Sequence, residues 1–234
     1  LVEPTDGIVD YVMRDNSHIN IPKASNDELD LVRQEMQIIF QDPFASLNPR
    51  MTIFDIVADP LRVNGLASGS ELEDRVAEMM RVVGLSTSYM RRYPHAFSGG
   101  QRQRLGIART LVMNPRMIIA DEPVSALDVS VQAQILNLMQ DLQEQLNLTY
   151  LFISHDLSVV QYISHRVAVM YVGKIVEIAS TETIFTAPKH PYTQALLSSV
   201  PVPNPQVRSR GKVLEGEVAD PANPPSGCYF TPRC

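Results

Sequence analysis

The chain has 234 residues, 44% hydrophobic and 20% charged, a balance that supports a packed core and excludes a low-complexity or fibrous polymer. With 20 Lys and Arg against 26 Asp and Glu, the formal net charge is −6, so most of the surface repels a polyanion and no nucleic-acid partner is expected. No run approaches the roughly 20 consecutive apolar residues that span a bilayer, and two cysteines, Cys228 and Cys234, are too few for a disulfide framework and fit a reducing compartment.

Leu1-Val2-Glu3-Pro4-Thr5-Asp6-Gly7 has neither an initiating Met nor the basic-then-apolar pattern of a leader, and reads as the interior of a longer chain. Gln37-Ile38-Ile39-Phe40 is a short apolar run ended by Gln41-Asp42-Pro43, and the stretch from there to about Pro94 has a helical pattern. It is clearest over residues 71–83, where Leu72, Val76, Met79, Met80 and Val83 share a face and Gly84 stands where a left-handed residue ends a helix. A helix is expected from Ser98-Gly99-Gly100 to about Met113, a buried strand at residues 117–120, and a third helix over Val129–Leu146 with Val131, Ile135, Leu138, Met139, Leu142 and Leu146 on one stripe. Thr149–Ile153, β-branched and aromatic, reads as another strand. Strand, helix, strand with apolar runs throughout predicts an α/β fold with a parallel sheet covered by helices. Residues 167–178 predict a hairpin at the sheet's edge, turning at Gly173-Lys174, and residues 201–225 are proline-rich and expected to be irregular.

Two carboxylates, Asp121 and Glu122, end the apolar strand before Pro123, where open α/β sheets present groups to ligands: one can serve a metal and its neighbour can polarise a water. Alone, such a pair is most often a solvated turn. Ser154-His155-Asp156 ends the next strand, which would bring a histidine to the same sheet edge, able to donate to a phosphate oxygen. Ser98-Gly99-Gly100-Gln101 opens a helix with free N–H groups at the positive end of its dipole, a seat for an anion. Ser98 and Gln101 also satisfy a capping box, so a well-capped helix accounts for them as well. Paired glycines in a first turn are costly to a helix, and close approach of a ligand to the backbone is a reason to keep them.

Together these residues resemble the ATP-binding subunits of ATP-binding cassette (ABC) transporters. Ser98-Gly99-Gly100-Gln101 looks like the signature motif, Ile118-Ile119-Ala120-Asp121-Glu122 the Walker B strand, Ser125-Ala126-Leu127-Asp128 the D-loop, His155 the switch histidine and Gln41 the Q-loop glutamine, in family order along the chain. The resemblance implies a RecA-like P-loop NTPase core, residues 1–41 and 115–186, with an inserted α-helical subdomain, residues 42–114, and a C-terminal extension, residues 187–234. It implies ATP and Mg²⁺ held between two subunits, as a homo- or heterodimer. Glu122 would be the general base, Asp121 and Gln41 would serve the Mg²⁺, and His155 would contact the γ-phosphate. Ser98, Gly99, Gly100 and Gln101 would seat the opposite subunit's nucleotide, and Ser125 to Asp128 would line the dimer interface. It further implies two transmembrane permease subunits, a solute-binding protein reached indirectly, and a place at the cytoplasmic face of the plasma (inner) membrane.

One departure stands out. A Walker A loop needs G-x-x-x-x-G-K-[ST]. The Gly173-Lys174 and Gly211-Lys212 pairs lack the upstream glycine, having Ala168 and Gln206 there, and no Ser or Thr follows. The Walker A strand, loop and helix are expected to precede Leu1, and without them these residues alone are expected not to hydrolyse ATP. Phe40-Gln41-Asp42-Pro43-Phe44-Ala45-Ser46-Leu47-Asn48-Pro49-Arg50 and His190-Pro191-Tyr192-Thr193-Gln194-Ala195-Leu196-Leu197 are similar to the oligopeptide, dipeptide and nickel importers of the family. Cys228 and Cys234 resemble the start of a cysteine cluster in that branch, which implies a 4Fe–4S centre in the full-length protein; such a centre takes four thiolates, and for the two in this chain free thiols are the simpler expectation. His18, His95, His165 and His190 are expected to be surface or packing residues. Two rivals are a soluble ABC ATPase without a transporter, which would call for a basic surface or a coiled-coil insertion between Gln41 and Ser98, and a nucleotide-binding module without activity, which Glu122 and His155 argue against.

Overall fold

The computed structural model describes residues 4–42, 46–199 and 216–234. The chain divides into two compact units, Leu1–Ile153 and Ser154–Cys234.

The first unit opens on a short antiparallel pair, β1 (Asp10–Val12) and β2 (His18–Asn20), with Tyr11 opposite Ile19. Helix α1 (Asn26–Glu35) follows, started by a capping box in which Ser25 N–H donates to Glu28 Oε2 at 2.7 Å and Glu28 N–H donates to Ser25 Oγ at 3.3 Å. Strands of three residues are too short to show a period, so this pair was not legible in the pattern.

Strands β3 (Met36–Ile39), β4 (Met117–Asp121) and β5 (Thr149–Ile153) form a sheet in the order β3-β4-β5, parallel as expected for the strands read at residues 117–120 and 149–153. Register aligns Ile39 with Ala120 and Ala120 with Phe152, so the carboxyl ends of the strands lie level. One face carries Ile39, Ile118 and Ala120, all buried, and Ile118 alone contributes about 2 kcal/mol by leaving water. On the other face, Ile38, Ile119 and Leu151 form one cross-strand row, and Leu151 and Ile153 are 50% and 45% exposed. The expected helix-covered sheet is therefore covered on one face among the described residues, and β5 is not a buried strand.

The helices α2 (Ile53–Val63), α3 (Gly69–Val82) and α4 (Gly99–Leu111) pack on one another through Ile53, Val57, Leu61, Val76, Met80 and Leu105, all with no measurable exposure. Gly84 has φ +73° after α3, and Leu85 N–H donates to Met80 O at 2.8 Å, the left-handed stop read from the sequence. Helix α5 (Val129–Leu146) buries Ile135, Met139 and Leu142. Leu146, expected on that stripe, is 40% exposed, and Leu136 is buried in its stead, because the inward face is wider than a single stripe.

In the second unit, α6 (Leu157–Ile163) leads into an antiparallel hairpin, β6 (Arg166–Tyr171) and β7 (Lys174–Ser180). Its two-residue turn has φ +45° at Val172 and +74° at Gly173, the left-handed pair that matches strand twist. The hairpin forms a sheet of its own and does not extend β3-β4-β5 among the described residues. Helices α7 (Thr181–Thr186) and α8 (Pro191–Ser198) follow. Of the segment expected to be irregular, residues 201–215 lie outside the described residues, and residues 216–225 have no regular structure. Beyond them Phe230, 1% exposed, packs edge-on against Tyr171 at 5.2 Å and against Tyr192 and His190 at 5.6 and 5.7 Å.

Glu177 on β7 joins this module to α8: its carboxylate accepts the N–H groups of Lys189 at 2.7 Å and His190 at 3.0 Å. Burial works against the Glu177 charge, but the donors gathered around it outweigh burial, and its pKa lies below the ordinary glutamate value of 4.5. A depressed carboxyl pKa stabilises the fold fully above the ordinary value, and that contribution disappears as pH falls through the lower folded pKa. Glu177→Gln at neutral pH is expected to lower hydrogen-exchange protection of the Lys189 and His190 amides by roughly tenfold, the order of one charge-assisted bond at a site water reaches. The parent should approach the variant's protection as it is acidified below about 4.5; equal protection in both proteins at neutral pH would show that Glu177 does not hold α8.

Candidate functional site at the carboxyl ends of the sheet

The site begins where β4 stops. Asp121 continues the strand opposite Ile153, whereas Glu122 turns out of it with φ +45°, a left-handed conformation that a side-chain-bearing residue rarely adopts. Its backbone is held on both sides: Glu122 N–H donates to Ile153 O at 3.0 Å, and Glu122 O accepts Ser125 N–H at 3.2 Å and Ser125 Oγ–H at 3.0 Å. Buried Pro123 and Val124 anchor the turn. The Glu122 side chain thus leaves the path of β4 and is half-buried next to Asp121 in sequence.

Gln41, just past the end of β3, donates its side-chain amide to Glu122 Oε2 at 2.6 Å across the end of the sheet. Two residues far apart in sequence, each singled out on separate grounds, are thus in contact. The Gln41 amide oxygen, the Asp121 carboxylate and the Glu122 carboxylate are hard oxygen donors on one rim. A small divalent ion of the Mg²⁺ type, which takes one or two protein oxygens together with phosphates and water, fits that donor set through Gln41 and Asp121.

Ser98 caps α4 as expected: Ser98 N–H donates to Gln101 Oε1 at 3.1 Å and Gln101 N–H donates to Ser98 Oγ at 3.4 Å. Gly99 and Gly100 are half-buried in the first turn. The D-loop residues Ser125 and Ala126 are exposed, Leu127 is half-buried, and Asp128 caps α5, accepting Ser130 Oγ–H at 2.7 Å and Val131 N–H at 3.0 Å. The Ser130 hydroxyl first, and then the Val131 amide, hold the Asp128 carboxyl below its usual range.

His155 lies in the second unit, exposed, just ahead of the Asp156 cap that starts α6. Cys228 and Cys234 are exposed free thiols, and no group of three or more His, Cys, Asp or Glu side chains among the described residues is placed to hold a metal. His190, read from sequence as surface or packing, caps α8 and faces both Phe230 and Cys228 Sγ, the latter at 3.9 Å.

Sequence reasoning missed a cleft of about 340 Å³ beside β3, lined among others by Gln37, Asp59, Gln103, Arg109 and Thr110. Gln103 is 1% exposed and its Nε2 has no partner among the described residues. It stands in a run of Gln and Arg that looks like an exposed helix face, so nothing in the pattern signalled its burial.

Residues 1–125 match the ABC transporter family, and residues 176–234 match the oligopeptide/dipeptide transporter C-terminal region. The whole chain is 53% identical to oligopeptide transport ATP-binding protein AppF of Bacillus subtilis, spanning 70% of that protein. It is 52% identical to the putative peptide import ATP-binding protein BOV_A0347 of Brucella ovis, spanning 72% of it. It is also 52% identical to oligopeptide transport ATP-binding protein OppF of Salmonella typhimurium, spanning 70% of it. Among solved structures, the ATP-binding cassette MJ0796, a dimer bound to ADP and Pi, superposes with a TM-score of 0.64 at 31% identity, over 77% of this chain and 75% of that one. CbiO1 of Clostridium perfringens, part of the ABC transporter complex cbiONQ, does so at 0.64 and 26% identity, over 73% of this chain and 68% of that one. The chain belongs to the ABC transporter family, as an ATP-hydrolysing ATP-binding subunit with the oligopeptide/dipeptide C-terminal region.

Proposed function

We propose that this chain supplies the hydrolytic half-sites of a peptide importer, with ATP held between two copies or between it and a related subunit. The observation that carries the catalytic part is the bond from Gln41 to Glu122 at the end of the sheet, beside Asp121. Glu122 accepts the proton of the attacking water, so that the water oxygen attacks the γ-phosphorus as the bond to the β–γ bridging oxygen breaks and ADP leaves. Gln41 orients that water and carries its state toward the membrane subunits. Asp121 and Gln41 would hold Mg²⁺, which would supply charge to neutralise the phosphates. His155 donates to the γ-phosphate, and Ser98, Gly99, Gly100 and Gln101 present N–H and hydroxyl donors to the nucleotide of the other subunit, with Ser125 to Asp128 at the shared interface.

Peptide is the proposed cargo because relatives at 52–53% identity are named for oligopeptide transport or peptide import. The proposed partners are two transmembrane permease subunits, with the solute delivered to them by a binding protein, and membership of the ABC transporter family supports that reading; no helix among the described residues is long and apolar enough to cross a membrane. The proposed place is the cytoplasmic face of the inner membrane. An iron–sulfur centre is not part of this proposal.

In a subunit that carries a phosphate-loop segment as well as these residues, Glu122→Gln is expected to keep ATP binding and lower kcat by about 10²-fold or more, the usual contribution of a positioned base. Turnover near the parent's would remove Glu122 from that role. Ser98→Arg is expected to leave ATP affinity of the monomer within about twofold, since the seat serves the other subunit, while abolishing ATP-driven dimerisation in sedimentation. Normal dimerisation of that variant would overturn the assignment of residues 98–101.

A further inference from the structure

The two signature glycines are packed against the chain's own D-loop and the helix that follows it. A Cβ placed on Gly99 would stand 3.4 Å from Leu127 Cδ2. One placed on Gly100 would run into Val131 Cγ1, far inside contact distance, with Val131 Cβ and Cγ2 at 3.7 and 3.8 Å. The intruded atom belongs to a β-branched side chain on the first turn of α5, which has one strongly preferred rotamer in a helix and little room to give. That first turn is itself tied down, because the Asp128 carboxylate accepts Val131 N–H at 3.0 Å and Ser130 Oγ–H at 2.7 Å. The D-loop is tied in turn to the catalytic turn, where Glu122 O accepts Ser125 N–H and Oγ–H. A short path thus runs from Glu122 to Ser125 by hydrogen bonds, along the backbone to Asp128, and from there by contacts to Val131 and Gly100, all within the first unit.

We propose that Val131, assisted by Leu127, is a positioning residue that sets where the signature seat is offered to the second subunit's nucleotide. Residue 100 must then be glycine because α5 occupies the space of its side chain, not because the nucleotide does. The Glu122 turn of each subunit and the seat that subunit lends to its partner become one mechanical piece. This inference rests on the reading of residues 98–101 as a nucleotide seat used in trans.

The test compares the parent, Gly100→Ala, Val131→Ala and the double variant in a subunit that carries the phosphate-loop segment, by thermal melting, ATP-driven dimerisation and the separate values of kcat and KM for ATP. Gly100→Ala is expected to lower both melting temperature and dimerisation, the latter by about tenfold or more. Val131→Ala removes the methyls in the way and leaves the Cβ added at position 100 about 3.7 Å from the remaining Cβ at position 131, ordinary contact. The double variant should therefore regain the melting temperature and dimerise to within about threefold of Val131→Ala alone. Val131→Ala alone should raise KM more than it lowers kcat, because the seat is displaced while the Glu122 carboxylate is untouched. Recovery of melting without recovery of dimerisation would mean that the nucleotide requires the glycine, and would overturn the proposal. So would a Gly100→Ala protein that melts and dimerises like the parent, or a double variant that remains as unfolded as the single. If Ser98→Arg dimerises normally, the seat reading fails by itself, an outcome separate from these.

Discussion

The constraint on which the site depends is the level register of three parallel strands. Pairing Ile39 with Ala120 and Asp121 with Ile153 ends β3, β4 and β5 together, so whatever follows each strand emerges on one rim. Gln41 and Glu122 meet there because each leaves its strand one or two residues past the last paired position. A slip of one residue would carry Ile118 and Ala120 to the opposite face and aim Asp121 into the core, so burial of apolar side chains on one face is what holds the carboxylates in place. The hydrophobic effect sets the register, and the register sets the chemistry.

The strained residue sits at the end of the sheet, next to Asp121 and in contact with Gln41. Glu122 with φ +45° would relax if left alone, and it is held by the Ile153 carbonyl on one side and by Ser125 on the other. Asp121 keeps the extended path and lies half-buried; Glu122, next in sequence, is turned toward Gln41. Adjacent like charges disfavour one another, and the left-handed backbone at Glu122 takes it off the strand path that Asp121 keeps.

Much of this was legible because the signals were strong and local. An apolar run stopped by Asp121-Glu122-Pro123, a serine and a glutamine three apart at Ser98 and Gln101, and Gly84 after a helical stripe each express a single physical preference, and each reads the same way in the structure. What was hidden depends on partners distant in sequence. Gln103 looks solvent-facing in its run of polar residues and is 1% exposed, since α4 is covered on more sides than its pattern suggests. Phe230 lies beyond a proline-rich stretch, and only the three-dimensional neighbours Tyr171, Tyr192 and His190 explain why it is buried. The outer row of the sheet, Ile38 and Leu151, reads in sequence as core and is substantially exposed among the described residues, because a strand's apolar pattern records what a face can bury and not which element covers it.

Gly99 and Gly100 show the same limit more sharply. From sequence, two glycines at a helix start have two sufficient explanations, a ligand that approaches the backbone or a neighbour that does, and spacing along the chain cannot separate them. The structure supplies the neighbour: Leu127 beside one and Val131 against the other. In this chain the cap of α5 by Asp128 belongs to the same argument, since a cap that fixes the first turn of a helix also fixes the side chain one turn in. The glycine at position 100 is therefore matched to residues outside its own helix, and a substitution at Val131, in the first turn of α5, acts on the same contact as a substitution at Gly100.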